Sequence, residues 1–118
     1  MPKINVMFSS RPKLLSEVIR NLIERQPDMI VMGEVIDPIE LIFALRIHHA
    51  DVVIITPLKS NGVPKICSQL LKEHPLLKIL AIPVDSKAFS IYQSNAPRIE
   101  IENPSEQSIV DAIRKALV

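Results

Sequence analysis

The chain has 118 residues, 47% of them hydrophobic and 23% charged, enough for one domain around a single core. Its 14 basic and 13 acidic side chains leave a formal net charge of +1, which gives no electrostatic case for binding nucleic acid or an anionic membrane surface. One cysteine, Cys67, excludes an internal disulfide and suits a reducing cytoplasm. No apolar run approaches the roughly 18 to 20 residues of a membrane span, and no basic-then-apolar leader opens the chain. With only Gly33 and Gly62, no glycine-rich phosphate loop can be assembled, and three Phe and one Tyr leave few platforms for stacking bases.

Lys3 to Ser9 alternates and predicts a first strand. Ser10-Arg11-Pro12 breaks it, with Pro12 suited to a first helical turn. From Lys13 to Gln26, Leu14, Leu15, Val18, Ile19, Leu22 and Ile23 recur at three- and four-residue spacing, which predicts an amphipathic helix. Met29 to Ile36 reads as a second strand. Asp37 as cap and Pro38 at the first position then open a helix to His48, with Leu41, Ile42 and Leu45 inward.

Asp51-Val52-Val53-Ile54-Ile55-Thr56 is the centre of the chain's organisation. Four consecutive β-branched aliphatic residues have no polar face, as expected of a parallel strand covered on both sides. In an open α/β sheet, ligands gather beyond the carboxyl ends of such strands, where Thr56 and Pro57 stand. A loop over Pro57–Val63 follows, then a helix from Pro64 to Glu73 with Ile66, Leu70 and Leu71 inward. Lys78 to Ile82 forms a fourth strand, stopped by Pro83. Ser86 to Gln93 is read as a short helix carrying Phe89 and Tyr92. Arg98 to Ile101, with alternating charge, reads as an edge strand. Ser105 caps a last helix with Ile109, Val110, Ile113 and Leu117 inward. Five βα units without a linker predict one domain, residues 1–118, with a doubly wound parallel sheet.

The series resembles a response-regulator receiver domain, most similar to the subgroup that precedes a helix-turn-helix DNA-binding domain. The resemblance rests on Gln26-Pro27-Asp28 through Val31-Met32-Gly33-Glu34-Val35, on Ala44-Leu45-Arg46, on Ala50-Asp51-Val52-Val53-Ile54-Ile55, on Glu73-His74-Pro75 and on Asp111-Ala112-Ile113-Arg114. It implies a flavodoxin-like (βα)5 fold with five parallel strands in the order 2-1-3-4-5. It also implies a two-component-type role in bacterial transcription control. Any contact with DNA would come through a separate C-terminal domain.

Each of the family's five chemical positions departs here. Ser10 and Arg11 stand where two acidic residues should hold magnesium, and Thr56 where the phosphate-accepting aspartate should close the third strand. Pro83 replaces the hydroxyl residue of the fourth strand, Glu102 the lysine of the fifth, and Ile99 the fifth-strand aromatic. Magnesium prefers anionic oxygens, which Arg11 opposes. An acyl phosphate needs a carboxylate nucleophile. The resemblance therefore leads to an expectation of a degenerate receiver, or pseudo-receiver. It would have no catalytic residue, metal or cofactor, and would act in the cytoplasm through a protein partner or a homodimer.

Several features stay open at this level. Arg11 and Glu102 either pair across the sheet edge or remain solvated. Phe89 and Tyr92 either anchor an interface or fill the core. Adjacent histidines on a helix diverge and lack ligand partners, so His48, His49 and His74 read as structural or surface residues. Thr56 as a kinase target is set aside for a packing or capping role, and Cys67 is expected in or near the core. The alternative function is a small-anion or metabolite-binding α/β domain using Ser10, Arg11, Thr56 and Ser60. Arg11 favours it, and the missing glycine loop counts against it.

Overall fold

Val52-Val53-Ile54-Ile55 is a strand buried along its whole length, as a run without a polar face requires. The structure, a computed structural model, describes residues 3–9, 13–56, 65–83, 88–94 and 96–115. In chain order it contains β1 (Ile4–Ser9), α1 (Lys13–Glu24), β2 (Met29–Val35), α2 (Leu41–Ile47), β3 (Val52–Ile55), α3 (Lys65–Glu73) and β4 (Lys78–Ala81). β5 (Ala88–Gln93), β6 (Ile99–Glu102) and α4 (Glu106–Lys115) follow, and a 3-10 turn at Pro38–Glu40 leads into α2. The strands lie in the order β2-β1-β3-β4-β5-β6.

Strand alternation divides the core into two layers. Val6, Phe8, Val52, Ile54 and Leu80 face α1 and α4, where Ile19, Leu22, Ile23, Val110 and Ile113 meet them. Met7, Val53, Ile55 and Ile79 face the other way, onto Leu41 and Leu45 of α2 and Cys67 and Leu70 of α3. The sheet is thus covered by helices on both sides, as the sequence pattern predicts.

The carboxyl-terminal third departs from the expectation. The segment read as a short helix is β5, which pairs antiparallel with both β4 and β6. The reason lies in its alternation: Phe89 and Ile91 enter one core layer while Tyr92 enters the other. Aromatic and β-branched residues fit a pleated surface buried on both faces. A meander therefore takes the place of a helical crossover, and the expected five-stranded parallel sheet is a mixed sheet of six strands. β6, mostly exposed, forms the edge, as the charge alternation of Arg98–Ile101 suggested.

Local signals explain the helix starts. The Ile39 amide donates to Asp37 Oδ1 at 3.1 Å, and the Asp37 amide to Glu40 Oε1 at 3.3 Å. At α4 the Ser108 amide donates to Ser105 Oγ at 3.1 Å, and the Ser105 amide returns the contact to Ser108 Oγ at 2.8 Å. Both arrangements satisfy amides that a helix start leaves without a partner. Asn103, at φ 54°, turns the chain from β6 toward α4; Asn tolerates this left-handed backbone.

Asp51 fastens the amino edge of the sheet. Its Oδ2 accepts the Asn5 amide at 2.9 Å, its own amide donates to the Asn5 carbonyl at 2.8 Å, and its carbonyl accepts the Lys78 amide at 3.2 Å. Three strands are joined there, which leaves the opposite edge for a site. Among the described residues no helix is long and apolar enough to cross a membrane.

Candidate functional site at the carboxyl edge of the sheet

At the carboxyl edge of three neighbouring strands, β1 ends in Ser9, Thr56 follows β3, and Pro83 lies two residues beyond β4. Ser9 is 1% exposed, and its Oγ has no hydrogen-bond partner among the described residues. Thr56 and Pro83 are also buried. These three ends bring two hydroxyls and a proline ring, and no carboxylate. A proline has neither a hydroxyl nor an N–H to offer a phosphate. Among the described residues no group of three His, Cys, Asp or Glu could hold a metal ion.

The remaining site positions divide into two groups. Ser10, Arg11 and Ser60 lie outside the described residues. Glu102 is exposed at the end of β6, three strand positions from β3, a lateral separation on the order of 14 Å. The inserted β5 moves it away from the cleft. β1 and β6 stand four positions apart, on the order of 19 Å, one strand more than in the expected order. Arg11, the other member of the pair considered with Glu102, lies outside the described residues.

The two aromatic interface candidates are core residues. Phe89 is fully buried and Tyr92 7% exposed, because both belong to a sheet strand and not to a surface helix. Cys67 is buried as expected, and burial pushes its thiol up to about 12, so it is unreactive near neutral pH. His48 and His49 are exposed, with His49 Nε2 2.9 Å from Asp51 Oδ1. His74 is half-buried, and its Nε2 has no hydrogen-bond partner among the described residues.

The structure adds one buried charge and one exposed apolar surface to the residues singled out from sequence. Lys78 is 4% exposed, and its ammonium donates to the Ala112 carbonyl of α4 at 2.9 Å. Burial pushes its pKa down, and the Lys115 charge adds to the effect. The outer side of α2 carries Ile39, Phe43 and Ile47, which are 59%, 62% and 77% exposed. The signal for that surface was available: this segment is apolar around nearly its whole circumference, which one buried side does not require.

No family model and no curated protein matches the chain. Among solved structures it is similar to the RcsB response regulator of Salmonella typhimurium, a structure concerned with conformational dynamism for DNA interaction. The two are 26% identical, with a TM-score of 0.57, over 70% of this chain and 44% of that one. The fold is receiver-like. The chain spans less than half the length of that response regulator. Its antiparallel meander β4-β5-β6 differs from the parallel pattern the sequence predicts, and Thr56 follows the end of β3.

Proposed function

We propose that the chain is a non-enzymatic, receiver-like signalling module that acts by protein contact and takes no phosphoryl group. The observation that carries this reading is Thr56, buried just beyond β3 at the same sheet edge as Ser9 and Pro83. Receiver phosphorylation forms an acyl phosphate, and a hydroxyl cannot form one. A metal bound to neutralise the transferring group would need anionic oxygens, which these strand ends lack. The similarity to RcsB supports a place in two-component-type transcription control, with any DNA contact made by a separate domain. The near-neutral charge agrees with that division of labour.

Incubation with acetyl phosphate and magnesium, followed by intact-mass measurement, tests the reading. No mass gain is expected; a base-labile gain of one phosphate would overturn it. A second reading, binding of a small anion at the cleft, has one observation in its favour: the buried Ser9 Oγ, which has no hydrogen-bond partner among the described residues. Thermal shifts with inorganic phosphate, sulfate and nucleotides separate the two readings, a saturable rise in melting temperature supporting the second.

A further inference from the structure

We propose that the outer face of α2 is a two-fold interface between two copies of this chain. The proposal deepens the reading of the chain as an interaction module, and rests on it. Ile39, Phe43 and Ile47 recur every fourth residue and form one stripe, opposite the buried Leu41 and Leu45. A helix apolar on both sides is one covered on both sides, and the fold covers only the inner one.

The segment itself specifies the occupant. Ile39-Glu40-Leu41-Ile42-Phe43-Ala44-Leu45-Arg46-Ile47 has the same character read from either end, except that its two charges are opposite in sign. A two-fold axis through Phe43 lays two α2 helices antiparallel, with residues equally spaced from position 43 meeting across the axis. Phe43 then meets Phe43 of the second copy, and Ile39 lies level with Ile47. The Glu40 end of each helix comes beside the Arg46 end of the other. A parallel alignment would instead bring like charges together. Charge complementarity therefore selects a second copy in one orientation.

Arg46 is already held along this face. It bonds Glu73 at 3.0 Å and stands 5.8 Å from the centroid of the Phe43 ring, and its fork of five donors has capacity for a further carboxylate. Ile36, 56% exposed, precedes the helix, and Leu76, 96% exposed, lies three residues beyond Glu73. These two residues sit toward opposite ends of α2. The same two-fold brings them toward each other, extending the patch toward the roughly 800 Å² per partner of a standard interface.

Sedimentation and light scattering from micromolar to millimolar chain concentration test the proposal. The wild type is expected to form a dimer, and Phe43→Glu to weaken it by about a hundred-fold or more. Phe43 is largely exposed in one copy, so circular dichroism should stay unchanged, as should the melting temperature at concentrations where both chains are monomeric. Phe43→Cys, treated with diamide, should give a disulfide-linked dimer, because the residue on the axis meets its own copy. Val18→Cys, on α1 and also exposed, should give no disulfide-linked dimer under the same treatment, and the buried Cys67 should not contribute. Glu40→Arg should weaken the dimer, and adding Arg46→Glu should restore it.

A wild type that stays monomeric to millimolar concentration overturns the proposal. So does a dimer that survives Phe43→Glu, or a face that binds phosphatidylcholine vesicles while the chain stays monomeric. The acetyl-phosphate assay reads the pocket independently. A monomer that takes no phosphate overturns the interface alone, whereas a phosphorylated dimer overturns the inactive pocket and leaves the interface standing.

Discussion

Arg114 and Asp28 tie the last helix to the turn between α1 and β2. Arg114 Nε lies 2.8 Å from Asp28 Oδ2, and one terminal nitrogen lies 3.1 Å from Oδ1 and 2.9 Å from Gln26 Oε1. This two-pronged contact holds the Asp28 carboxyl below its usual range, with the Arg114 hydrogen bond the main cause. A depressed carboxyl stabilises the fold above its ordinary value of about 3.9 and loses that contribution as pH falls through the folded value. Melting curves from pH 7 to pH 2 should therefore fall less steeply for Asp28→Asn than for the wild type. Both side chains are more than a third exposed, so the difference should be modest and should shrink in high salt.

Lys78 gives the opposite pH dependence. Burial lowers its pKa, so the folded state disfavours the charged form. The resulting penalty is present at neutral pH and lifts as pH rises through the lowered value toward the ordinary one of about 10.4. Wild-type stability attributable to this group should rise across that alkaline interval, and Lys78→Met should abolish the rise. Urea denaturation at a series of alkaline pH values reads the effect. An unchanged slope in the variant would assign the rise to another group.

Phe89→Ala separates a core residue from a surface anchor. Truncating a fully buried Phe should cost roughly 3 to 5 kcal/mol by chemical denaturation. A side chain on an exposed surface would change stability by no more than about 0.5 kcal/mol.

Thr56→Asp tests whether the pocket lacks more than its acceptor. The new carboxylate would be buried at the end of β3 without a bound cation, so stability at neutral pH should fall by about 1 to 3 kcal/mol or more. Intact mass after treatment with acetyl phosphate and magnesium should still show no phosphate. Uptake of one phosphate by this variant would show that the rest of the chain retains a metal-binding arrangement.

The parts of the fold legible in the sequence are those set by local chemistry. The stripe through Ile19, Leu22 and Ile23, the caps at Asp37 and Ser105, and the unbroken β-branched run of β3 each name their own element. β5 was not legible. Its first five residues are buried, so the polar alternation that marks a half-exposed strand is absent. What fixes it as a strand is pairing with β4, with Leu80 opposite Ile91, and that information lies in another part of the chain. The site followed the same division. Thr56 and Pro83 could be placed at strand ends from sequence, whereas the distance of Glu102 from the cleft depended on the strand between. The exposure of Phe43 is not set by the inward stripe of Leu41, Ile42 and Leu45, which accounts for only one side of α2.

The meander also bears on the order in which the chain folds. β4, β5 and β6 pair through adjacent segments, each closing over a short loop. β1 reaches β3 only by bringing Asn5 to Asp51, 46 residues away. Short closures lose less chain entropy and form sooner, hairpins in roughly 1 to 10 μs. In pulse-labelled hydrogen exchange, the amides of Leu80 and Ile91 should gain protection before those of Val6 and Val53. One strand of the altered pocket, β4, would thus form early, with β1 and β3 joining it last.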